Sequence, residues 1–206
     1  VGEQAQGQPA IAGGELGRGH LAPGGLGIER EAVVVAVAAL LLFAHAKAVA
    51  DYTEVLKLDP KSANALQARG EAYFKLGKIP ESIADFDRFL EIVPAQKPHH
   101  WQRGISLYYA GRFKDGKEQF EIHQTVNSND VENAVWHFLC AARADGLASA
   151  KQGLIPIDGD GRVPMAQVHQ LFAGKAKPDD VLAAAKAAPA ETRAGEPMFY
   201  AHLYLG

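Results

Sequence analysis

A period of 34 residues constrains this chain more than any other feature of it. Gly70, Gly77 and Phe86 return as Gly104, Gly111 and Phe120, and Pro60 returns as Pro94, each 34 positions on. Self-similarity at a fixed period of roughly 20 to 50 residues marks a repeat array, in which one supersecondary unit stacks on copies of itself.

The clearest unit runs from Ala63 to Pro94. Ala63–Leu76 reads as an amphipathic helix with Gly70 in its interior, where glycine costs about 1 kcal/mol relative to alanine. Its return one period later points to a helix–helix contact too close for a side chain. Tyr73 lies near one turn on and shares that face. Gly77 is placed to cap the helix, and Pro80 suits the first turn of the next one. Ile83, Phe86, Phe89, Leu90 and Val93 form a single apolar stripe, which Pro94 ends. One such hairpin cannot bury both its faces, whereas stacked copies can.

The unit resembles the tetratricopeptide repeat (TPR). With Ala63 as the first position, the family's small, aromatic, small, aromatic and proline positions fall on Gly70, Tyr73, Ser82, Phe86 and Pro94. One period later they fall on Gly104, Leu107, Gly116, Phe120 and Ser128, so that unit departs at two places. One period earlier only Ala48, Tyr52 and Pro60 fit. The resemblance implies an all-α, TPR-type α-solenoid: a right-handed superhelix of stacked helical hairpins with a concave groove. It also implies that groove contacts come from first helices. Those positions fall on Asn64, Gln67, Glu71, Phe74 and Lys75 in one unit, and on Pro98, Trp101, Ile105, Tyr108 and Tyr109 in the next. Chaperone-tail binding in the family needs a lysine and an asparagine that Gln67/Glu71 and Trp101/Ile105 do not supply. The expected site is instead an aromatic wall of Trp101, Tyr108 and Tyr109, extended by Trp136, because large rigid aromatics serve as binding anchors.

Around this array the chain divides further. Residues 1–31 hold nine glycines and little periodicity and read as a disordered leader. Residues 32–46, AVVVAVAALLLFAHA, form an apolar stretch open to two readings. One is a signal-like core with Ala44-His45-Ala46 as a small-x-small site; the other is the first helix of the first repeat. The compartment follows from that choice, periplasmic or secreted in the first case and cytoplasmic in the second. Residues 47–154 contain about three units and a degenerate fourth beginning at Val131. Residues 155–190 form a non-repeat insert, since Pro156, Gly159, Gly161 and Pro164 interrupt any helix and two short helices follow. Residues 191–206 read as the start of a truncated repeat. The order of the Trp136 helix, the Leu171–Gly174 ending, the Pro178-Asp179-Asp180 helix start and Phe199-Tyr200 also resembles the NlpI-like group of bacterial TPR lipoproteins. This chain lacks that group's lipid-bearing cysteine near Ala46.

Composition removes several function classes. Net charge is −3 with 22% charged residues, which gives no basic footprint for nucleic acid. The one cysteine, Cys140, excludes an internal disulfide and reads as a buried, inert thiol. Asp158-Gly159-Asp160-Gly161 fits a calcium loop poorly, because Pro156 and Gln167 fall where ligands are needed, and it reads as a turn. His99, His100, His123 and His137 lack the helical zinc spacing. Arg69 and Arg103, each just before a repeat glycine, read as structural arginines paired with an acid on a neighbouring helix. No catalytic residue, metal or cofactor is expected. The expected function is non-enzymatic: an adaptor or scaffold that binds a peptide or partner protein in the groove. The alternatives are a structural self-association module, giving a homo-oligomer, and an accessory domain of a larger enzyme.

Overall fold

A computed structural model describes residues 25–189 and 196–206. The chain divides into two compact units, residues 1–41 and 42–206. Among the described residues every regular element is helical. The leader expected over residues 1–31 lies mostly outside the described residues, but its last part is already helix.

That helix, α1 (Gly25–Leu58), replaces the two segments expected over 32–46 and 47–58. The reason is local. Nothing from Ile28 to Asp59 is glycine or proline, and Phe43 stands where the following units carry Gly77 and Gly111. Without a residue suited to a left-handed turn the helix runs on.

Then come the hairpins: α2 (Ala63–Lys75) with α3 (Ile79–Ile92), and α4 (Trp101–Tyr109) with α5 (Phe113–His123). In each, the interior glycine admits an aromatic ring from the second helix. A Cβ on Gly70 would lie 2.7 Å from the Phe86 ring, and one on Gly104 would lie 2.6 Å from that of Phe120. Both rings are buried. The turns repeat as well. Gly77 and Gly111 adopt φ of 71° and 73°. Each N–H bonds to the carbonyl three residues back, and the next N–H reaches five back: Lys78 to Tyr73 and Arg112 to Leu107, both at 2.9 Å. This is a Schellman cap, and Gly174 forms a third at φ 73° after a non-repeat helix.

Pro94 ends α3 as expected, but a 3-10 helix, Pro94–His99, follows it and delays α4 to Trp101. The extra turn is tied down from α5: Gln119 Nε2 donates to the Lys97 carbonyl at 2.7 Å, and His123 Nδ1 meets that of Pro98 at 2.8 Å.

The fourth hairpin, α6 (Val131–Asp145) with the short α7 (Leu147–Gln152), departs from the pattern. Phe138 occupies the place of Gly104, and the place of Phe120 falls on Leu154, past the end of α7. Helix α6 is instead completed by the insert helices α8 (Met165–Phe172) and α9 (Pro178–Lys186), and by α10 (Glu196–Leu205). Val131 and Val135 pack there with Met165, Val168, Val181 and Ala201. Residues 190–195, between α9 and α10, lie outside the described residues.

Candidate partner-binding groove

The first helices α2, α4 and α6 present two adjacent cavities. The smaller, about 250 Å³, is lined by Glu71, Phe74 and Lys75 from α2 and by Trp101, Gln102 and Ile105 from α4, over Phe86. The larger, about 480 Å³, lies between Trp101 and Ile105 on one side and Asn133 and Trp136 on the other. Val126 and Asn127, after α5, close one end beside His99 and His123. Trp101 and Ile105 line both cavities. Trp101 is 47% exposed, which is high for so large an apolar residue.

Five of the ten expected groove positions therefore come together here, Glu71, Phe74, Lys75, Trp101 and Ile105, whereas Pro98 lines neither cavity. Tyr108 and Tyr109 lie in an adjoining aromatic set. Tyr109 meets Phe74 at 5.9 Å, and Tyr108 meets Trp136 at 5.5 Å. Asn64 and Gln67 line neither cavity. Gln67 donates to Glu71 at 2.8 Å and orients its carboxylate.

Gln102, Val126, Asn127, Glu132 and Asn133 were not expected. Carrying the register into the fourth unit puts Val135 where Trp101 stands, but Val135 is buried against the insert helices. The next residue, Trp136, reaches the groove instead.

Asn133 is 3% exposed. Its Nδ2 donates to the Phe120 carbonyl at 3.2 Å and to Gln124 Oε1 at 2.9 Å, which fixes the amide orientation. Its Oδ1 is buried without a partner. A buried acceptor left unpaired costs about 1–3 kcal/mol.

Behind the same wall stands Arg162. Its guanidinium meets Asp130 and Asp160 at 2.7 and 2.6 Å, and also pairs with Glu132. Glu132 further accepts from Tyr204 at 2.9 Å. Burial and the Glu132 charge push the Tyr204 phenol well above its ordinary range. Burial alone would raise the Asp160 carboxyl, but the Arg162 bonds outweigh it and hold that group low. Asp160 also accepts from the Val131 N–H at 3.2 Å, so the Asp-Gly turn serves the start of α6.

Arg69 and Arg103 are paired as expected, and their pairing follows the period. Arg69 donates to Asp85 at 2.7 and 2.8 Å and to Thr53 at 3.1 Å. Arg103 donates to Asp87 at 2.6 Å and to Gln119 at 3.2 Å. Every one of these partners lies sixteen residues before or after its arginine, and the acid has changed sides between the two units. One period further His137 meets Glu121, again sixteen residues back, at 3.3 Å. The arginines thus hold unit to unit rather than facing a ligand.

The remaining candidates are structural. His100 is buried, its Nδ1 accepts from the Arg103 N–H at the start of α4, and burial lowers its pKa to about 4. Burial likewise lowers His137. Cys140 is buried and its thiol is pushed up to about 12, far from a nucleophile's range.

A family model described as TPR repeat matches residues 44–77. The matched stretch joins the second half of α1 to α2, one period in length but starting mid-hairpin. Together with the stacked hairpins it makes the fold an all-α solenoid of TPR type. Repeats of this family generally mediate protein–protein interaction and are typically non-enzymatic.

Proposed function

We propose that the protein is a non-enzymatic adaptor that binds an extended peptide segment of a partner protein along the α2–α4–α6 face. The observation that carries this reading is the half-exposed Trp101, which stands between two cavities that together offer an apolar bed of Phe74, Ile105, Val126 and Trp136. Glu71 and Lys75 at the α2 end offer one charge of each sign. Tyr108 and Tyr109 support this surface through their contacts with Trp136 and Phe74 and lie beside the ligand's path. Asn64 and Gln67 contribute at its outer margin, Gln67 through Glu71.

The chain supplies its own reporter. Its two tryptophans are Trp101 and Trp136, and both line the larger cavity. Peptides selected from a random display library against the whole chain should change its tryptophan fluorescence on binding and compete with one another. Selected peptides that bind without any fluorescence change would place the binding surface elsewhere.

Self-association is the second reading, favoured by one observation. Phe199 and Leu203, one turn apart on α10, are 61% and 53% exposed. A second copy covering that strip would give a mass that rises with concentration and falls back on Phe199→Ser/Leu203→Ser.

A further inference from the structure

The apolar side chains of α1 are exposed on every side of the helix. Val33, Val34 and Val35 are 61%, 66% and 68% exposed, and Val37, Leu40, Leu41, Leu42 and Phe43 are all at least half exposed. Successive helix residues are about 100° apart, so three in a row already reach round the circumference. An 18-residue window within Arg30–Leu58 reaches a mean hydropathy of 2.3, with none of it buried. A first-repeat helix would need one apolar stripe and one polar face. This stretch has no polar face, so a protein groove laid along one side would leave the other side apolar and wet. A surrounding hydrocarbon phase leaves none.

The borders agree with that. Glu29, Arg30 and Glu31 precede the stretch, and Lys47 follows it, ion-paired with Asp51 at 2.9 Å. Packing begins just beyond. Tyr52 and Leu56 join Ala65, Leu66 and Phe89 in a core cluster. The change from bare to packed helix thus falls between Phe43 and Tyr52.

We propose that residues 32–46 insert into a lipid bilayer and that the folded array starts at about Lys47. Fifteen helical residues rise about 22 Å, short of the roughly 30 Å hydrocarbon thickness. The segment therefore enters the bilayer with the dimensions of an export-signal core rather than of a full span.

Flotation of the whole chain with phosphatidylcholine/phosphatidylglycerol vesicles tests this. The wild type should float, and Val35→Asp/Leu41→Asp should partition at least about 100-fold less. The double variant should unfold at the same temperature as the wild type, because neither side chain is packed. Trp101→Ala should float like the wild type, which separates this proposal from the groove reading. Failure of the wild type to float would overturn the proposal, as would a double variant that still floats. So would a lowered unfolding temperature in the double variant, the mark of a helix packed within a repeat.

Discussion

The hairpins α4–α5 and α6–α7 follow one another in the chain, and they are held in different ways. In the first, Gly104 lets the Phe120 ring lie against the helix backbone, and one intimate contact closes the pair. In the second, Phe138 fills the glycine's place and α7 is too short to supply a ring. Helix α6 is closed instead from outside the repeat, by α8, α9 and α10 on its apolar side and by Arg162 at its start. The side-chain ladder of Arg69, Arg103 and His137 nevertheless continues through α6. Two devices that coincide in a regular repeat are therefore separable. The glycine–phenylalanine contact closes a hairpin, and the ladder ties each first helix to the helix before it. Because the ladder persists, α6 still brings Asn133 and Trp136 to the groove after its own hairpin has degenerated.

Breaking the contact should have the largest effect. Phe120→Ala is expected to lose about 3–5 kcal/mol in urea unfolding, and Leu154→Ala, at the matching place, less than half as much. Equal losses would mean that the fourth hairpin is closed like the third. Acid should reveal the next difference. His100 is buried with its pKa lowered to about 4, so the unfolded chain binds the extra proton first. Stability should then be complete above about pH 6.5 and decline towards pH 4, by on the order of 3 kcal/mol. His100→Asn should flatten that decline; an unchanged pH profile would contradict the assignment. Gly104→Ala should lose about 1–3 kcal/mol by overpacking Phe120, despite alanine's better helix propensity.

The smallest of these effects belongs to the polar closure. Arg162 is 38% exposed, so Arg162→Met should cost only about 1–2 kcal/mol. Its signature lies in the pH dependence. A carboxyl held low stabilises the fold above the unfolded value near 4, and that contribution is lost as pH falls through its folded pKa. Arg162→Met should therefore reduce the acid sensitivity that Asp160 contributes, measured by thermal unfolding from pH 5 to pH 2.

Most of the array was legible because its determinants are local or periodic. Gly70, Gly77, Pro80, Phe86 and Pro94 act where the pattern puts them, and the arginines paired as their equivalent places implied. Continuity of α1 was harder to read, since the apolar run hid the missing turn residue at Phe43. The 3-10 helix at Pro94–His99 went unread because its anchors, Gln119 and His123, are more than twenty residues away. Of the groove positions carried over one by one, Glu71, Phe74 and Lys75 on α2 and Trp101 and Ile105 on α4 line the cavities, and Asn64, Gln67, Tyr108 and Tyr109 do not. On α6 the insert helices claim Val135, and the exposed position shifts to Trp136. The unpaired oxygen of Asn133 had no sequence signal, because it depends on where Phe120 and Gln124 place their acceptors.

The measurement that tests the groove most directly is the affinity of one selected peptide for three forms of the chain: wild type, Trp101→Ala and Phe199→Ala. Trp101→Ala should bind at least about tenfold more weakly while unfolding within about 1 kcal/mol of the wild type, and Phe199→Ala should bind as the wild type does. Equal affinity for wild type and Trp101→Ala, or a loss confined to Phe199→Ala, would contradict the account and move recognition to the α10 edge.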